Sequence, residues 1–203
     1  MATLASTSAP SDPLPVVPVA SRLLTVADLA AMPEQLPSGT VSYELHHGRL
    51  VPMSPPVARH GELQALFGFE LVAQGQKKNL GAAYTEVGVL LARNPDHVLG
   101  PDAAFVTNAS LPAKLTSEGY LETVPQLVVE IRSKNDTAKE IASKVADYFQ
   151  AGAVLVWVAE PASETITEHR SGQSPKTYQK GEQLVCEDVI PGFRLPLAEL
   201  FAQ

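Results

Sequence analysis

Residues 127–158 read LVVEIRSKNDTAKEIASKVADYFQAGAVLVWV, and the change of pattern along them decides the fold. Leu127-Val128-Val129-Glu130-Ile131 is a short apolar and β-branched run, apolar enough for a strand buried on both faces. Thr137, followed three residues later by Glu140, is a capping-box pattern: hydroxyl and carboxylate each satisfy a backbone N–H that the first helical turn leaves free. Ile141, Val145, Tyr148 and Phe149 recur at helical spacing and supply a buried stripe, and Gly152 suits the left-handed position that ends a helix. Residues 154–158 form a second apolar strand. A strand, a helix and a strand in succession predict a parallel pair joined by a right-handed crossover.

Outward from this unit, residues 24–32 have apolar positions at helical spacing and predict a short helix. Residues 41–45 and 49–53 flank His46-His47-Gly48, a hairpin signal. Leu63, Leu66, Phe67 and Leu71 mark one face of a helix starting near Gly61. Residues 84–92 are β-branched and apolar and read as strand, and residues 101–106 as another. Residues 164–187 read as polar, alternating strands with turns at Ser171-Gly172 and Lys180-Gly181. The class is α/β or α+β around a mixed sheet.

The chain has 203 residues, with 15 Lys+Arg against 22 Asp+Glu and a formal charge of −7. That balance excludes a broad basic face, so contact with a polyanion must be local or bridged by metal cations. Cys186 is the single cysteine, which excludes an intramolecular disulfide and a thiolate-rich zinc site and fits a reducing, cytoplasmic compartment. Residues 1–20, with Pro10, Pro13, Pro15 and Pro18, lack a basic start and an uninterrupted apolar run, and are expected to be a disordered tail. Residues 21–203 carry no repeat and no long linker and are read as one domain. No stretch approaches the roughly 20 apolar residues of a spanning helix.

The informative anomaly is Glu130, a carboxylate inside a run that belongs in a core. Its desolvation is costly unless it is paired, hydrogen-bonded or bound to a metal. Strand periodicity places Arg132 on the same face. Asp102, after Gly100-Pro101, opens another short strand and comes beside Glu130 if the two strands are neighbours. Two converging carboxylates suit Mg²⁺ or Mn²⁺, which polarise a phosphoryl oxygen and lower the pKa of bound water. Arg132, Lys134, Lys139 and Lys144 then give a local positive excess where a phosphate backbone would lie.

Taken together, Pro101-Asp102, Val129-Glu130-Ile131-Arg132-Ser133-Lys134-Asn135-Asp136, Lys144, Tyr148, Gly152 and Val156-Trp157-Val158-Ala159-Glu160-Pro161 resemble the Uma-two family. That family lies within the PD-(D/E)XK restriction-endonuclease-like superfamily. Tyr43-Glu44-Leu45 with Gly48, Met53-Ser54-Pro55, His60 and Val189-Ile190-Pro191-Gly192-Phe193 extend the resemblance over about residues 40 to 200. It implies a restriction-endonuclease-like core of mixed strands flanked by helices, with Asp102 and Glu130 as metal ligands and Glu44 as an extra acidic position. It also implies that the superfamily's usual lysine is Arg132 here. An arginine cannot act as a base at neutral pH, and Lys144 on the following helix is the alternative. The implied activity is Mg²⁺- or Mn²⁺-dependent endonucleolytic hydrolysis of DNA, by a chain that pairs as a homodimer.

Plainer readings stand beside these. Glu130 and Arg132 can form an ion pair at a strand end, Asp102 can cap a turn, and Glu44 can face water on a hairpin. Lys144 can pair with Glu140 four residues before it. His60 reads as a locally bonded helix opener, His46 and His47 as turn neighbours unable to share an ion, and His97 and His169 as isolated. Tyr148 and Trp157 fit core positions. Two other functions remain open: a nuclease-fold protein that binds or assembles without cutting, and a two-carboxylate glycosidase that needs no metal.

Overall fold

The computed structural model describes residues 22–37, 39–112 and 119–202, so the expected tail at 1–20 lies outside the described residues. The chain opens with α1 (Val26–Ala30), β1 (Gln35–Leu36), β2 (Gly39–Thr40), β3 (Ser42–His46), β4 (Arg49–Met53) and α2 (Ala58–Gln74). After a 3₁₀ turn (Gln76–Lys78) come β5 (Gly81–Thr85), β6 (Val89–Ala92), β7 (His97–Leu99), β8 (Ala103–Thr107) and β9 (Leu127–Ile131). Then follow α3 (Ala138–Ala151), β10 (Leu155–Glu160), β11 (Thr165–Arg170), β12 (Lys176–Tyr178), β13 (Gln183–Leu184), β14 (Leu195–Pro196) and α4 (Leu197–Leu200).

The capping box closes α3 as its sequence requires. The Glu140 amide donates to the Thr137 hydroxyl at 3.2 Å, and the Thr137 amide donates to the Glu140 carboxylate at 2.8 Å. At the other end Gly152 turns out of the helix at φ 114°. The helix returns the chain so that β10 runs parallel to β9, with Leu127 opposite Leu155 and Glu130 opposite Val158.

These strands are central in a six-stranded sheet of order β12-β11-β10-β9-β8-β5. Its alternate side chains feed two cores. Leu127, Val129 and Ile131 pack with Leu63, Phe67 and Leu71 of α2, with Trp157, and with Phe193 and Phe201 of the C-terminal segment. Val128, Val156 and Val158, on the opposite face, pack with Val145 and Tyr148 of α3. Complete burial of a Val, Leu or Phe side chain contributes about 1.5–3 kcal/mol, so β9 and β10 are clamped from both sides. A second sheet, β4-β3-β7-β6, closes over α1 through Leu29, Leu45, Leu90 and Val98.

Two sequence expectations are corrected, and one strand was not expected at all. Residues 84–92 are not one strand: β5 joins the large sheet and β6 the small one. Between them Glu86 takes a left-handed backbone conformation, at φ 51°, and Gly88 lets the Tyr120 ring approach the backbone. Helix α2 starts at Ala58 rather than near Gly61, because its first turn carries polar residues invisible to an apolar periodicity. β7 is only three residues long, too short for a pattern to show. Among the described residues no helix is long and apolar enough to cross a membrane.

Candidate active site

β8 and β9 are antiparallel neighbours with Ala103 opposite Val129. One step further in that register, Asp102 lies opposite Glu130. The Ile131 amide donates to Asp102 Oδ2 at 2.6 Å, and His60 Nε2 on α2 lies 2.7 Å from Asp102 Oδ1. The partner of His60 is thus 42 residues away in sequence, not a local helix group. Asp102 holds His60 protonated above the ordinary histidine range, against the effect of burial, while His60 Nδ1 is buried with no hydrogen-bond partner among the described residues.

Glu130 is 5% exposed. Tyr148 on α3 donates its hydroxyl to Glu130 Oε1 at 2.6 Å, and Lys144 Nζ, one turn earlier on the helix, lies 3.6 Å from Oε2. Lys144 also donates to Glu44 Oε1 at 2.9 Å. Glu44, on β3, is 3% exposed and accepts from the Gly100 amide at 3.0 Å, with His46 Nε2 2.7 Å from its other oxygen. Lys144 therefore does not make the surface pair with Glu140 that its spacing allows, and Glu44 is not on a wet hairpin face.

The charges do not balance evenly. Burial pushes Glu130 up to about 7, with Asp102 and Glu44 adding to the rise and Lys144 and Tyr148 opposing it. Burial works on Glu44 in the same sense, but the His46 bond, the Lys144 charge and the Gly100 amide hold it at about 2. Burial disfavours the Lys144 charge, yet Glu130 and Glu44 together keep the ammonium well above its ordinary value. Burial and the Glu130 charge raise the Tyr148 phenol well above its ordinary value, so it remains a donor. Glu44 has His46 and the Gly100 amide besides the ammonium, whereas Glu130 has only Lys144 and Tyr148 set against deeper burial, and is left under-compensated.

Arg132 is turned to other partners. Its Nη1 pairs with Glu160 at 2.7 Å, while Nε and Nη2 donate to the Asp136 carbonyl at 3.2 and 3.1 Å. These contacts tie the end of β9 to β10 and to the loop before α3. No Glu130–Arg132 pair occurs among the described residues. Of the two cations proposed from sequence, Lys144 is the one that reaches the carboxylates.

Asp102, Glu130 and Glu44 do not lie within 4.8 Å of one another as three donors; among the described residues only His47, His97 and Asp147 do. His97 is not isolated, contrary to its sequence surroundings: it is 2% exposed and stacks on His47 at 4.1 Å. Burial, foremost, and the neighbouring His47 keep its ring below the ordinary histidine pKa. No sequence spacing could have joined these residues, because they lie on a turn, a short strand and a helix.

A sheet flanked by helices, with carboxylates gathered from two adjacent strands at its edge of contact with a helix, defines a nuclease-like α/β fold. The chain belongs to the Uma2 family, described as "Putative restriction endonuclease", whose model matches residues 27–198. Among solved structures it is similar to a putative nuclease belonging to DUF820 from Anabaena variabilis. The TM-score is 0.73 at 16% identity, over 88% of this chain and 98% of that one. None of the curated proteins matches the sequence.

Proposed function

We propose that the protein is an endonuclease that hydrolyses DNA with Mg²⁺ or Mn²⁺ held by Asp102 and Glu130, and with Glu44, joined to Glu130 through Lys144, adding to the acidic charge around them. The observation that carries this reading is the under-compensated, buried Glu130 beside Asp102 and Glu44, with Lys144 the single ammonium among them. An all-oxygen carboxylate set of that charge fits a hard divalent cation.

A bound cation would supply Lewis-acid polarisation of the phosphoryl oxygen and acidify an attacking water. The side chains provide the rest. The Ile131 amide and His60 fix the Asp102 carboxylate, and Tyr148 fixes Glu130. Lys144 stays protonated, so it is no base; it places positive charge where a phosphoryl oxygen gains negative charge. Arg132 acts at a distance by holding the loop that leads into α3.

The test is nicking of supercoiled plasmid by the full chain with Mg²⁺, with Mn²⁺ and with EDTA, repeated for Asp102→Ala and Glu130→Ala. Cleavage that requires the cation and disappears in both variants supports the proposal; absence of cleavage, or cleavage that survives EDTA or both substitutions, overturns it. A second reading, a non-cutting nucleic-acid-binding protein, is favoured by one observation. The Glu44–Lys144–Glu130 chain, at 2.9 and 3.6 Å, closes on itself as an ion-pair network. Binding of the same plasmid without cleavage selects that reading.

A further inference from the structure

Asp147 lies on α3 one turn beyond Lys144, facing the turn between β3 and β4 and the start of β7. Its Oδ2 is 3.3 Å from His97 Nε2 and its Oδ1 is 3.9 Å from His47 Nε2. His97 Nε2 is buried and, despite that proximity, makes no hydrogen bond among the described residues. A ring that is 2% exposed with one nitrogen left without a hydrogen bond forfeits solvation for nothing. That nitrogen lies 3.3 Å from a carboxylate oxygen and within 4.8 Å of a nitrogen of a second imidazole, which together are a ligand set.

We propose that His47, His97 and Asp147 bind a transition-metal dication of the zinc class, at a site separate from the Asp102–Glu130 carboxylates. Two imidazoles and one carboxylate favour Zn²⁺ and its neighbours over Mg²⁺, which prefers oxygen alone. Zinc bonds of about 2.0–2.1 Å put tetrahedral neighbours roughly 3.3 Å apart, the separation already present between His97 and Asp147. Two contacts compete for His97 Nδ1: the Leu45 carbonyl at 3.2 Å and the His47 amide at 3.1 Å. A cation on Nε2 places the proton on Nδ1, where the Leu45 carbonyl accepts it, the usual way a backbone oxygen orients a ligating histidine.

His47 supplies the mobility the site needs. Its ring is parallel to that of His97, within 2°, so both lone pairs reach one ion only after one ring tilts. The His47 side chain is 56% exposed and free to tilt, whereas His97 is not. His46 is outside the converging set, and its Nε2 is engaged by Glu44. With three protein ligands the ion keeps an open position toward solvent, and it joins the hairpin turn and β7 to the helix that carries Lys144 and Tyr148.

The experiment is calorimetric titration of the EDTA-stripped full chain with ZnCl₂, together with the visible spectrum on adding CoCl₂. It compares wild type, His47→Ala, Asp147→Asn and the double variant Asp102→Ala/Glu130→Gln. The double variant retains one equivalent of Zn²⁺ and the Co²⁺ absorption of a low-coordinate nitrogen and oxygen site. His47→Ala, in an exposed turn, and Asp147→Asn each weaken that binding by at least about tenfold. Failure of the wild type to bind Zn²⁺, affinity unchanged in both single variants, or binding that vanishes with Asp102 and Glu130 would overturn the proposal.

Discussion

Replacing Lys144 with methionine keeps an unbranched stem as far as Cε and removes the ammonium beyond it. That group lies 2.9 Å from Glu44 and 3.6 Å from Glu130. At an effective dielectric of about 20, each contact represents roughly 5 kcal/mol of gross attraction, most of it set against desolvation. Removing one member leaves that desolvation uncompensated, so Lys144→Met is expected to cost about 3–5 kcal/mol near neutral pH. The pH dependence separates this cause from lost packing. In the intact protein Glu130 titrates at about 7 rather than at its ordinary value of 4.5. A carboxyl raised in the folded state makes stability fall as pH rises between those values. Without Lys144 the folded-state value moves higher still. Both proteins therefore lose stability in parallel up to about pH 7, and above it only the variant continues to lose. The gap then widens by up to about 1.4 kcal/mol per pH unit. Urea unfolding of both proteins in EDTA, near pH 6 and near pH 8.5, measures it. A loss below about 1 kcal/mol, or a gap equal at the two pH values, would refute the reasoning.

Tyr148→Phe removes the hydroxyl donor from Glu130 in a fully buried place and is expected to destabilise by about 1–3 kcal/mol, read from the same unfolding curves. Gly81→Ala drives a methyl group into the Val106 carbonyl and the Phe105 ring, so it costs more than the roughly 1–3 kcal/mol of ordinary overpacking and lowers the melting temperature in calorimetry. Burial pushes the Cys186 thiol up to about 12, so the native protein resists a thiol-specific disulfide reagent at neutral pH and reacts within the dead time once unfolded in guanidinium; prompt reaction of the native form contradicts its buried placement.

The unit from β9 to β10 was legible because each of its signals is local: an apolar run, a capping box, a helical stripe and a terminal glycine. The neighbourhood of Asp102 and Glu130 was legible one step further on, since it required only that β8 and β9 pair. What escaped notice was decided across long separations. The spacing of Lys144 shows Glu140 four residues away, but not Glu44, which is 100 residues away and accepts a hydrogen bond from the ammonium. Tyr148 is the core residue it was read to be, at 0% exposure, but burial says nothing of where a hydroxyl points. The break within 84–92 was hidden because residues on both sides of Glu86 are equally apolar, and hydropathy does not record which sheet a strand joins. His97 looked solitary because its companions come from a turn and a helix.

The two closed ends of α3 have a kinetic consequence. A helix opens most readily at its termini, but here the first turn is latched by Thr137 and Glu140 and the last by Gly152, whose amide donates to the Tyr148 and Phe149 carbonyls at 3.1 Å. Unzipping from either side must first break those latches, and Lys144 sits seven residues in from the start of a 14-residue helix. Backbone amides around it therefore exchange with deuterium only through large cooperative openings, and the ammonium is presented to the acidic cluster from a scaffold that seldom breathes.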